Sequence, residues 1–119
     1  MNRIGFAVAI FFSAVLFSTS ALSYGVVEGY VVEVRVERGG KVLISFDREI
    51  HGSPPACSAG RKTNMAFTTL DEGGEGMLSA ALAAQASGNM LRGRGGGVCN
   101  VWSTIESAAY VVMIKDAPN

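Results

Sequence analysis

Hydrophobic and polar residues alternate along residues 26–37. Tyr30, Val32, Val34 and Val36 fall on one side of an extended chain, with Glu33, Arg35 and Glu37 on the other. Successive strand side chains point to opposite faces, so this period of two predicts a half-buried β-strand. Gly39 and Gly40 follow, and glycine accepts the positive φ that tight hairpin turns require. Val42, Ile44 and Phe46 then alternate with Leu43, Ser45 and Asp47. That predicts a second strand, antiparallel to the first. Residues 47–62 carry Gly52, Ser53, Pro54, Pro55, Ser58 and Gly60. Consecutive prolines lack ladder donors and cannot enter a helix interior, so a loop is expected there, tied down by Cys57. Residues 64–70 predict a short third strand with Met65, Phe67 or their neighbours turned inward.

The pattern changes after Asp71. Residues 75–87 are rich in Ala and Leu, which have high helix propensity. Asp71, Glu72 and Glu75 lie near the start of this run, where negative charge suits the helix dipole. Gly88 stands where a C-terminal cap wants positive φ. One helix over 75–87 is expected, its apolar face on the sheet. The run has no basic residue, which argues against a helix lying on a membrane surface. Residues 90–92 predict a fourth strand that runs out into glycines at 93–97, and residues 108–114 predict a last one. The last strand is apolar on both faces and should be central or covered by the helix. Residues 115–119 are a polar tail. The order strand, strand, strand, helix, strand, strand is that of a small five-stranded barrel of the oligonucleotide/oligosaccharide-binding (OB) type, with its helix between strands three and four. The fold class expected is therefore mostly β, as an α+β domain.

The amino terminus reads differently from the rest. Arg3 is followed by about 14 uncharged, mostly apolar residues, and then by Ser18, Thr19, Ser20 and Ala21. Ala21 and Ser23 occupy the −3 and −1 positions of a cleavage site before Tyr24. A basic start, an apolar middle and a small-residue exit predict a secretory signal over residues 1–23. The apolar run is shorter than the ~20 residues that span a bilayer. Removing 23 of the 119 residues leaves 96, enough for one domain over residues 24–119. It also removes Arg3, leaving 9 basic against 10 acidic residues. A near-neutral chain has no strong field to draw nucleic acid, so no nucleic-acid partner is expected. No membrane association is expected after cleavage. The address is export, to the periplasm or the extracellular space.

Export bears on the two cysteines. Cys57 and Cys99 would meet an oxidising compartment, where two cysteines usually pair. They lie too far apart for a C-x-x-C redox pair. With a single distant histidine, His51, they do not fill a zinc shell. A disulfide is expected, with no metal and no cofactor.

Candidate chemistry is sparse. His51 lies among Gly52, Ser53 and Pro54, and reads as an exposed loop residue. No hydrolase or metalloprotease motif occurs. Asp47 with Glu49, and Asp71 with Glu72, are the local carboxylate pairs, and they read as a strand end and a helix start. No catalytic residue is assigned, and the chain is not expected to be an enzyme. The run from Arg92 through Arg94 to Gly97 allows two readings. It is either a flexible connection held by Cys99 or a recognition loop in which two arginines and open backbone N–H groups meet an anion. Trp102 either packs in the fold or stacks on a ligand. Arg92, Arg94 and Trp102 are therefore the candidate ligand-binding residues.

Gly29, the turn Gly39-Gly40, Pro55-Ala56-Cys57, the helix from Leu78 to Gly88, Cys99 and Glu106 together resemble a group of small secreted bacterial proteins of unknown role. The layout is also distantly similar to the B subunits of subtilase-type toxins. That similarity implies an OB fold and glycan binding by a pentamer, and it leaves an oligomer open here. The function expected is a non-catalytic exported binding domain for a glycan or a protein. The alternative is a periplasmic inhibitor or immunity protein that blocks an enzyme or toxin.

Overall fold

The structure is a computed structural model, and it describes residues 23–115. The signal expected over residues 1–23 lies outside the described residues except for Ser23, and all of the tail but Lys115 does too. Among the described residues seven strands, one helix and one 3-10 turn follow in order. They are β1 (Gly25–Gly29), β2 (Val31–Val36), β3 (Lys41–Phe46), β4 (His51–Gly52), the turn Ala56–Ser58, β5 (Asn64–Thr68), α1 (Gly74–Ser87), β6 (Met90–Gly95) and β7 (Glu106–Ile114). The strands form one sheet in the order β2-β3-β5-β7-β6-β1-β4. Among the described residues every pairing is antiparallel except β5 with β7.

The chain is mostly β with one helix, as its patterning implies, but the strand count and the closure differ from the five-stranded barrel. The long first strand is broken at Tyr30 into β1 and β2. The expected loop at 47–62 contains β4, which pairs His51 and Gly52 with Val26 and Gly25. No ladder joins β2 to β4 among the described residues, so the sheet is not closed into a hydrogen-bonded barrel. It is strongly curled all the same. A single residue, Tyr30, joins β1 to β2, which lie toward opposite ends of the strand order.

The hairpin of β2 and β3 forms around Gly39 and Gly40, with φ of 93° and 90°. Side chains of larger residues rarely tolerate that region. The phase of β2 departs from its sequence pattern. The register with β3 shifts between Val31 and Glu33. An extra residue at such a bulge changes which side chains face inward. Val31 and Val34 therefore meet the core, and Val32 and Val36 stay exposed.

The inner face of the sheet buries Val27, Val42, Ile44, Phe46, Met65, Phe67 and Leu91. Helix α1 closes this core with Ala81 and Ala84, flanked by Met77, Leu78 and Ala80. It packs mainly on β7 and β2. Gly88 caps it in the left-handed region, its N–H bonded to the Ala84 carbonyl at 3.0 Å. A smaller cluster sits elsewhere on the sheet, where Val101, Trp102 and Ile105 cover Leu43 and Ala66. Cys57 and Cys99 are bonded, with Cα atoms 6.3 Å apart. The bridge ties the 3-10 turn to the segment that carries this second cluster. β7 is central in the sheet, as expected, yet its two faces are not both covered. Tyr110, Val112 and Met113 are exposed. Among the described residues no helix is long and apolar enough to cross a membrane.

Candidate functional site

The glycine-rich run is not a loop for most of its length. β6 continues through Gly93 and Arg94 to Gly95, paired with β1 on one side and β7 on the other. Its glycines leave space for larger neighbours. A Cβ on Gly93 would lie 2.8 Å from the Met65 sulfur and 3.3 Å from the Phe46 ring, so Gly93 faces the core. By the alternation of a strand, Arg92 and Arg94 face outward. The register sets Arg92 between Glu28 and Val112, and Arg94 between Val26 and Tyr110.

The two arginines have different surroundings. Arg92 is committed to Glu28, with its Nη2 3.3 Å and its Nε 3.4 Å from Oε2. Arg94 has no acidic partner among the described residues. Its guanidinium carbon lies 4.2 Å from the centre of the Tyr24 ring and 5.7 Å from that of Tyr110. Its Nε is buried without a hydrogen-bond partner. The negative faces of the rings attract the cation and hold its plane in place. The outer face of β1, β6 and β7 thus presents a guanidinium bracketed by two tyrosines, next to the exposed side chains of Tyr110 and Val112.

Trp102 is not brought to this face. It packs over Leu43, Ala66 and Ile105, with the Lys41 ammonium 5.6 Å from its ring centre. Tyr24, in turn, has no sequence signal that marks it. It sits beside the expected cleavage site, and only the register of β1 on β6 brings it to Arg94.

Glu106 is the other residue that patterning does not reveal. It is fully buried at the start of β7. Its carboxylate accepts the N–H of Gly25 through both oxygens at 3.1 Å, and the N–H of Gly97 at 3.1 Å. Burial pushes its pKa above the ordinary value of 4.5, and the two backbone N–H donors partly oppose this. A carboxyl group with a raised pKa can mark an active site. Here neither groove described below is lined by it, and its partners are backbone. It pins the start of β1 and the turn after β6 onto β7.

The remaining sequence candidates stay apart. His51 is exposed on β4. Asp47 accepts the Tyr30 N–H at 2.9 Å and the Arg48 Nε at 3.0 Å. The bond from Arg48, chiefly, holds the Asp47 pKa below its usual value. Asp47 therefore secures the junction of β1 and β2. Asp71 and Glu72 are exposed in the turn before α1. A groove of about 370 Å³ runs along Ile50, Pro54, Pro55, Ala56, Arg61 and Lys62. A second one, of similar volume, lies by Lys41, Leu70 and Asn100. Neither includes Arg92, Arg94 or Trp102. Among the described residues no three His, Cys, Asp or Glu side chains gather to hold a metal. No protein-family model, curated protein or solved structure matches the chain.

Proposed function

We propose that the chain is an exported, non-catalytic binding domain that meets a glycan or a protein with the outer face of β1, β6 and β7. The observation that carries the reading is the Arg94 guanidinium, bracketed by Tyr24 and Tyr110 and without an acidic partner. Tyrosine and arginine dominate binding hot spots because they combine apolar area with directed donors. A guanidinium already fixed between rings has little freedom left to lose when a ligand arrives. Export is supported by the disulfide, which persists in oxidising compartments. An OB-like order of elements in the open sheet is supported by two features, the parallel pairing of β5 with β7 and the helix between β5 and β6.

The face is a strand surface, and neither groove opens onto it. That favours an extended ligand, and it keeps the inhibitor or immunity reading as the protein arm of the test. The oxidised protein, without residues 1–23, is applied to a glycan array and to envelope-protein extracts. Arg94→Ala and Tyr110→Ala are run beside it. A ligand whose affinity falls about thirtyfold in either variant supports the reading, since hot-spot truncations cost ~2 kcal/mol or more. Absence of any ligand, or a ligand indifferent to both variants, rejects it.

A further inference from the structure

β2 forms one end of the sheet, and among the described residues no strand pairs with its outer side. An open edge offers a row of backbone N–H and C=O groups to another strand. Charged side chains (lysine above all), proline, a bulge, a very short strand or a covering helix ordinarily blunt such an edge. β2 has six residues and contains neither lysine nor proline. Its bulge leaves Val32 as the extra residue unpaired with β3, and the pairing from Glu33 to Val36 is regular. Val32 and Val36 are 59 % and 54 % exposed. The segment Val32-Glu33-Val34-Arg35-Val36 reads the same in both directions except that its charges reverse about Val34.

That symmetry fits one partner. In an antiparallel pair with a two-fold axis at Val34, Glu33 lies opposite Arg35 of the second copy, and Arg35 opposite its Glu33. Val32 and Val36 lie opposite each other twice. Directly opposed strand residues interact favourably when their charges are opposite or when both are β-branched. A two-fold interface also requires that each residue's contact be returned by its mate. Within one chain Glu33 and Arg35 approach only to 3.9 Å, and both are about half exposed, so that contact constrains them little.

We propose that two copies of the chain dimerise by antiparallel pairing of β2 with β2, centred on Val34. The dimer carries two copies of the Arg94 face, and the inference does not rest on what that face binds. Sedimentation velocity over a wide concentration range tests it on the oxidised protein. Wild type should reach a dimer. Arg35→Glu and Glu33→Arg each place like charges opposite one another twice and should weaken the dimer about tenfold or more. An equimolar mixture of the two variants restores both opposite pairs and should recover a mixed dimer. Both positions are exposed, and near-ultraviolet circular dichroism verifies that each variant is folded. A chain that stays monomeric, an assembly of five or any number other than two, or a dimer indifferent to both swaps would overturn the proposal. None of those results would touch the ligand reading, which is measured on Arg94 and Tyr110.

Discussion

Gly95 and Glu106 should be coupled in stability. A Cβ on Gly95 would fall 2.0 Å from Oε2 of Glu106 and 2.1 Å from its carboxyl carbon, where ordinary contact is 3.4–4 Å. The carboxyl group must therefore move by more than 1 Å. It cannot do so and keep bonds of 3.1 Å to the Gly25 and Gly97 N–H groups. Overpacking costs about 1–3 kcal/mol, and a buried donor left unmade about 1–3 kcal/mol. Gly95→Ala should thus destabilise by about 3 kcal/mol. Glu106→Ala strands both donors and should cost about 2–4 kcal/mol. The double variant has already lost the carboxylate, so its added methyl meets space. Its cost should fall short of the sum of the two singles by at least about 1.5 kcal/mol, within the range of residues in direct contact. Urea unfolding of the three oxidised variants beside wild type measures this. Costs that add to within about 0.5 kcal/mol, as for independent sites, would refute the reasoning. So would a harmless Gly95→Ala.

Glu106 also sets a pH dependence. Its folded pKa is raised by burial, so its protonated form is favoured by folding. Its contribution to stability is full below the ordinary value of 4.5 and is lost as pH rises through the folded value. Glu106→Gln should flatten that part of the stability profile, read as melting temperature from acid to neutral pH; an unchanged slope would assign it elsewhere. Replacing both cysteines by serine opens a loop spanning 42 residues. That should cost about 4 kcal/mol on the chain-entropy account, and denaturation of the oxidised wild type against the double serine variant gives the difference.

The hairpin of β2 and β3 and the helix are legible because each rests on local signals. These are a period of two, a glycine pair and an Ala/Leu run ended by Gly88. The disulfide is legible because the chain has only two cysteines. The break at Tyr30 is not legible. Residues 26–37 read as one strand, and the bulge that turns Val32 outward is set by pairing with β3. The second half of β6, residues 93–95, is missed for a related reason. A glycine in sequence looks like a turn signal, whereas Gly93 and Gly95 are strand positions kept bare for Met65 and Glu106. Of the three site candidates, Arg92 and Arg94 share a face because they are two apart on a strand. Trp102 joins them in sequence only. Tyr24 joins Arg94 through the register of β1 on β6.

The bridge between Cys57 and Cys99 also bears on how quickly the chain can fold. The parallel pairing of β5 with β7 aligns Met65 with Glu106, which are 41 residues apart along the chain. Bringing such distant segments together is slow, because the search is completed before any contact rewards it. Through the bridge the route is short: eight residues from Met65 back to Cys57, and seven from Cys99 on to Glu106. Oxidation ahead of folding turns that search into the closing of a small ring. A chain that folds with its cysteines already joined begins with its one parallel ladder nearly in register.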